Sequence, residues 1–234
     1  MSCLSFVALA PEDAKAVAPG GVNDSTAINR ERPKTERRGG FALVMNSSYG
    51  YASFVGYPNF ASDVGKPEFR ASTGPALGTN FSLFLGGALR DWLVTGAGII
   101  TNTTYLGKVR GLQSALVFHL DAFPLYYKGG HFRDLGLSVD GGVGFSIIED
   151  PDNNDEEVAN GGSLSTVGIG VFYEPWQFWR CSFGPTLNYV YSHSQSLDSH
   201  LVLGGIRFSL YSGQPKKSKK AKTKSTAALN SWSF

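Results

Sequence analysis

The stretch His193-Ser194-Gln195-Ser196 sets a candidate base among candidate nucleophiles. A histidine activates a serine hydroxyl when a third group orients its imidazole. The residue two beyond His193 is Gln195 rather than serine, and no acid follows at a suitable distance, so a polar rim or loop is the reading and no catalytic residue is expected. Oxygen ligands concentrate in residues 150–157, where Asp150, Asp152, Asp155 and Glu156 could form a weak calcium or magnesium loop. Its glycine position is held by Asp155 and its closing glutamate position by Gly161, so a solvated acidic loop is the competing reading. The four histidines are scattered, and Cys3 and Cys181 lie at opposite ends of the chain, so neither a zinc site, a disulfide framework nor another resident cofactor is indicated. Gly96-Ala97-Gly98, Gly141-Gly142-Val143-Gly144 and Gly168-Ile169-Gly170 follow period 2 with no helix opening after them, which separates them from dinucleotide fingerprints.

The elements that would carry these residues are strands. The chain has 234 residues, 29 of them glycine, with 13% aromatic and only 17% charged residues. Such a composition excludes a disordered chain. Mean hydropathy is −0.10 and Arg90-Asp91 interrupts the most apolar window, so no helix of about 20 apolar residues can span a membrane. From Gly40 onward apolar and small residues alternate with period 2, through segments 41–51, 77–90, 91–105, 112–123, 135–148, 163–173, 180–191 and 201–211. Glycine, proline, asparagine and aspartate punctuate them. Eight strands in a meander close as a barrel or stack as a sandwich.

The two faces decide what surrounds the barrel. Leu135, Leu137, Val139, Val143, Phe145 and Ile147 share one face of their segment, with Gly136, Ser138, Asp140, Gly142, Gly144 and Ser146 on the other. The same division recurs in 180–191 and 201–211. The polar face holds small residues and few long Lys, Glu or Gln side chains, as a cramped polar interior requires. The apolar face would then meet lipid. A soluble lipocalin-like barrel, the alternative, would carry bulky apolar residues inside and long charged residues outside. Charges of both signs occur on the small-residue face, and Arg90, Asp121, Asp140, Arg207 and His119 are expected to form an internal ion-pair network, because an unpaired charge in a narrow lumen is costly.

Aromatics collect at strand ends, where amphipathic rings sit at the two water interfaces. Trp92, Tyr126, Tyr127, Trp176, Phe178 and Trp179 fall near the even-numbered connections. Tyr49, Tyr51, Phe54, Tyr57, Tyr105, Tyr189 and Tyr191 fall near the odd-numbered ones. The first and fifth connections are long and the second and sixth tight, the asymmetry of membrane barrels whose chain ends share the short-turn side. Residues 1–39 read as a disordered or processed leader; 4–10 is apolar and small-residue sites follow, two parts of a secretory signal without its basic start. Residues 40–211 carry nine basic and fourteen acidic residues, whereas 212–234 carry six lysines and no acid, a basic disordered tail. That tail has no interleaved aromatics with which to stack bases, so nucleic acid is not an expected partner.

Residues 40–211 resemble the small eight-stranded outer-membrane barrels of the OmpA transmembrane-domain or OmpX type. The best local piece is Leu203-Gly204-Gly205-Ile206-Arg207-Phe208, which looks like the final-strand signal read by the barrel-insertion machinery, although this chain continues beyond it to a second aromatic end, Trp232-Ser233-Phe234. The resemblance implies an all-β, closed antiparallel up-and-down transmembrane barrel of eight strands with disordered tails, monomeric and resident in the outer membrane of a two-membrane bacterium. It implies a structural, surface-interaction or narrow-passage role without catalysis, with outer-membrane lipid and lipopolysaccharide as surroundings and anionic cell-wall polymer within reach of the basic tail. Some barrels of this kind modify lipid, and His193 to Ser196 faintly resembles the His-x-Ser-Asn stretch of the lipid A deacylases; the departure at Gln195 stands against that reading.

Overall fold

In the computed structural model the described residues are 38–58, 60, 62–105, 109–128, 130–153 and 156–213, the side chains of Asn153 and Glu156 excepted. Period-2 alternation becomes eight long strands: β1 Gly40–Gly56, β2 Ala76–Arg90, β3 Leu93–Tyr105, β4 Arg110–Ala122, β5 Leu135–Asp150, β6 Leu164–Tyr173, β7 Cys181–His193 and β8 Leu197–Tyr211. Each pairs antiparallel with its sequence neighbours, and β8 pairs with β1 from Ala42↔Tyr211 to Gly56↔Leu197, which closes the sheet and leaves no long edge. Three short strands lie in the connections: Ala71–Ser72 on β1, Glu156–Asn160 on β5 and Trp176–Phe178 on β7.

The stagger fixes the dimensions. Partners traced from Met45 run through Leu83, Ile99, Leu116, Val143, Ser165, His193 and Asp198, and return to β1 at Val55, ten residues further on. With spacings of about 3.4 Å along and 4.8 Å between strands, that shear tilts the strands by roughly 41° and gives a backbone radius of about 8 Å. So narrow a barrel can be filled by its own side chains.

The apolar set faces outward. Leu137, Phe145 and Leu187 are 45%, 56% and 57% exposed, and Leu83 and Phe208 are half-buried at outward positions, the opposite of a lipocalin-like interior. On β1 the outward band runs from Phe41 to Tyr51, which at this tilt spans about 25 Å along the axis. Among the described residues no charged side chain occupies an outward position at that height. Exposed rings edge the band: Trp92, Tyr127, Trp176, Phe178 and Trp179 at the end where β1 begins and β8 finishes, and Tyr49, Tyr51, Tyr105 and Tyr189 toward the far end. Phe54 departs from that expectation: its even position on β1 turns it inward, and it is fully buried.

The interior is more apolar than the small-residue pattern suggests. Near the terminal end, Ala42, Val94, Phe123, Phe172 and Tyr211 cluster. Val44, Phe84, Ile100, Ala115 and Val117 line one side at mid-height. The far mouth is filled by Phe54, Ile148, Ala159, Leu197, Leu201 and Leu203. Glycines let neighbouring backbones approach: a Cβ on Gly142 would fall 2.0 Å from the Leu116 carbonyl oxygen, and one on Gly205 2.1 Å from that of Ser47.

Hydrogen bonds flank the ends of β1 and β8. Gly213 N–H donates to the Gly39 carbonyl at 2.7 Å, and Ser212 Oγ accepts from Phe41 N–H at 2.7 Å. The rest of the leader and tail, Trp232 to Phe234 included, lies outside the described residues.

Candidate functional site

Between the apolar layers the lumen holds two polar systems. The first is charged. His119 on β4 bridges two carboxylates, Nδ1 at 2.5 Å from Asp140 Oδ1 on β5 and Nε2 at 3.0 Å from Asp121 Oδ1, while its ring stacks on Phe84 at 3.9 Å. Arg207 on β8 pairs with Asp121, donates through Nε to Glu174 Oε1 at 3.0 Å, and lies over the Phe172 ring at 3.8 Å. Glu174 also accepts from Ser209 Oγ at 2.6 Å and faces the Tyr211 hydroxyl at 3.4 Å. Arg207, Asp121 and Glu174 are essentially without solvent. Buried charges persist only when paired and hydrogen-bonded; this group draws its partners from β4, β5, β8 and the residue after β6, with His119 Nε2 and Asp121 Oδ1 in ion-pair contact but outside hydrogen-bond geometry.

Four of the five residues expected in the network, Asp121, Asp140, Arg207 and His119, are brought together. Arg90 is not. A register shift between Ala88 and Arg90 breaks the alternation at the end of β2, and Arg90 is exposed at the turn. Its place as an end-of-barrel cation falls to Arg38, two residues before β1 and within the stretch 1–39 expected to be leader. Arg38 N–H donates to Asp91 Oδ1 at 3.0 Å, Nη2 donates to Asp134 Oδ1 at 3.1 Å, Nε lies 3.9 Å from Glu174 Oε2, and the guanidinium covers Phe123 at 3.4 Å. Arg133 pairs with Asp91. The turn β2–β3, the connection β4–β5 and the residue following β6 are thereby tied at one point. Glu174, Asp134, Asp91 and Arg133 sit in connections, where period 2 carries no signal.

The second system is an amide belt. Asn80 Nδ2 donates to Asn102 Oδ1 at 2.7 Å, and Asn102 Nδ2 donates to Gln113 Oε1 at 3.2 Å. Gln113 Nε2 donates to Thr166 Oγ1 at 3.2 Å and to Ser192, and Ser199 Oγ donates to Gln113 Oε1 at 3.3 Å. Six strands are cross-linked at one height by groups that would each cost about 1–3 kcal/mol if left unpaired. Inward parity places Asn80, Asn102 and Gln113 on this face, but which strands meet at one height depends on shear, which the sequence does not state.

On the outer wall at the far end, polar groups mark where the apolar band stops. His193 Nδ1 lies 2.5 Å from Asp198 Oδ1, so an acid does orient this imidazole, from the neighbouring strand across a three-residue turn. Tyr191 OH donates to Asp198 Oδ1 at 3.4 Å, and Tyr189 OH pairs with His200 Nδ1 at 2.9 Å. The nearby serine hydroxyls serve the turn: Ser194 Oγ accepts from Leu197 N–H at 3.0 Å and Ser196 Oγ donates to the Asn160 carbonyl at 2.6 Å.

The acidic loop does not assemble a cation site among the described residues. Asp150 Oδ1 accepts from Asp152 N–H at 3.1 Å, Glu156 is opposite Asp150 in the ladder, and Asp155 lies outside the described residues.

No protein-family model matches the chain, and no curated protein does. Among solved structures, Neisserial surface protein A is similar over 71% of this chain and 95% of that one, with 8% identity and a TM-score of 0.45. Ail, the attachment invasion locus protein of Yersinia pestis, in complex with the heparin analogue sucrose octasulfate, covers 74% and 99% at 10% identity and 0.43. The outer membrane protein OprG from Pseudomonas aeruginosa covers 75% and 99% at 8% identity and 0.38. By its eight strands, its stagger of ten and its apolar outer wall, the chain has the fold of a small eight-stranded barrel of the outer-membrane type.

Proposed function

We propose that the protein is an integral outer-membrane barrel that holds surface loops in place, closed to solutes and without chemistry of its own. The observation that carries this reading is the outward apolar band of about 25 Å, uninterrupted by charge and edged by exposed rings. Water could not support that surface on a monomer, since exposed apolar patches of ordinary soluble proteins rarely exceed a few hundred Å². In this reading the end where β1 begins and β8 finishes faces the periplasm and the far end faces outward. Lipid and lipopolysaccharide surround the wall, β8 is the strand presented to the insertion machinery, and the lysines of residues 212–234 meet anionic cell-wall polymer.

The filled lumen favours a structural or surface role over a passage. The arginine–carboxylate network, the amide belt and the far-mouth cluster of Phe54, Leu197 and Leu201 stack along the axis. Fractionation of expressing cells is expected to place the chain with the outer membrane, in a form whose gel mobility changes on heating. In planar bilayers the purified barrel is expected to give no conductance steps. Recovery in the soluble fraction would overturn the membrane reading, and steady unit conductance would overturn the closed lumen.

A further inference from the structure

The far end of the outer wall holds a cavity of about 470 Å³ that neither the lumen nor the apolar band explains. Val55, Tyr57, Arg70, His193, Gln195 and Asp198 line it, beneath the segment of the first connection that includes Gly65 and Pro67. Its volume lies within the usual range for small-ligand sites, roughly 300–1,000 Å³.

The floor is built before any ligand arrives. Tyr57 N–H donates to the Ser196 carbonyl at 2.8 Å, Asn160 N–H donates to the Tyr57 carbonyl at 3.2 Å, and Ser196 Oγ donates to the Asn160 carbonyl at 2.6 Å, so three connections are tied together below it. Ser194 folds the β7–β8 turn onto itself by accepting from the Ser196 and Leu197 amides at 3.3 and 3.0 Å. A preorganised floor lowers the ordering cost of binding.

The lining chemistry narrows the ligand. Arg70 and Gln195, both exposed, offer donors, while the Gln195 carbonyl and the Asp198 carboxylate offer acceptors. Charge does not favour an anion: Asp198 already holds His193, and around Arg70 the first connection carries Asp63, paired with Lys66 at 3.8 Å, and Glu68. A phosphate or sulfate site would show a surplus of cations. Paired donors and acceptors beside an aromatic residue, with charges that cancel, match a hydroxyl-rich neutral ligand, because each sugar hydroxyl both donates and accepts. We infer that this cavity binds a neutral saccharide unit, held by Gln195, Asp198 and Arg70 against Tyr57. The inference rests on the membrane reading only for the source of the sugar, which at this height is either lipid-borne or free glycan.

The test uses the full chain refolded in phosphocholine micelles, with heat-modifiable gel mobility as the criterion of folding for parent and variants. Maltose, lactose and diacetylchitobiose are the free probes, dodecyl maltoside the lipid-borne one and sodium sulfate the anionic control, read by saturation-transfer NMR. At least one sugar probe is expected to saturate with a Kd of about 1 mM or tighter. Q195A and D198A, each folded, are expected to weaken it tenfold or more. A preference for dodecyl maltoside over maltose that Q195A and D198A abolish would assign the lipid-borne source, and equal affinity the free one, since alkyl-chain contact with the outer wall alone would survive both variants. Failure of all four sugars, or sulfate binding that strengthens in D198A, would overturn the inference. Fractionation and gel mobility report on the membrane reading separately, so either can fail alone.

Discussion

Val139→Arg is expected to cost about 2–4 kcal/mol of barrel stability in a bilayer and to lower the yield of inserted, heat-modifiable protein. Val139 is 49% exposed on β5 near mid-height of the outward band, between Leu137 and Phe145. An arginine there either sits in hydrocarbon or thins the membrane to reach water, and both routes cost free energy. The control is Arg at position 147, where Ile147 lies on the same strand face near the far rim and the penalty falls to about 0–1 kcal/mol. Urea titration of both variants in vesicles of one lipid composition gives the difference directly. A barrel whose wall faced water would show no depth dependence and would gain solubility from either change.

Arg207→Met is expected to destabilise by about 3–5 kcal/mol, because it leaves the carboxylates of Asp121 and Glu174 buried without their shared cation. Lost packing contributes less, since methionine can retain much of the contact with Phe172. The distinguishing variant combines R207M with D121N and E174Q. Removing both charges along with the cation is expected to recover most of the loss, whereas a packing role for Arg207 would leave the triple variant as unstable as the single one. Urea unfolding followed by gel mobility measures both. A cost below about 1 kcal/mol for R207M would mean that water or ions reach this part of the lumen and screen it.

These two variants also separate what could be read from residues alone from what could not. Outward and inward faces follow from period 2, and Val139, Phe145 and Leu187 lie on the wall where alternation places them. Arg207, Asp121, Asp140 and His119 share the inward face for the same reason. Alternation states a residue's face but neither its height nor what happens after a bulge. Alternation therefore points Arg90 inward whereas the shift after Ala88 carries it out, and closeness to the strand end suggests an outer ring at Phe54 whereas its even position turns it in. Glu174, Asp134 and Arg38 act from connections and from the residue pair before β1, where no period exists to mark them. Asp198 became the partner of His193 through pairing across a turn, and an acid five residues on matches no local spacing rule. The layering of the lumen depends on shear, which emerges only when the strands close.

The outward band is expected to meet lipid. The most direct test of that contact places a nitroxide at Val139, Ile169 or Phe118, one per variant, in a chain with Cys3 and Cys181 replaced by serine, reconstituted in vesicles. Relaxation by dissolved oxygen should dominate relaxation by a water-soluble nickel chelate at all three sites, and the ratio should fall at a label on Asp198. A chelate-dominated response at Val139, Ile169 and Phe118 would put water against the wall and contradict the account.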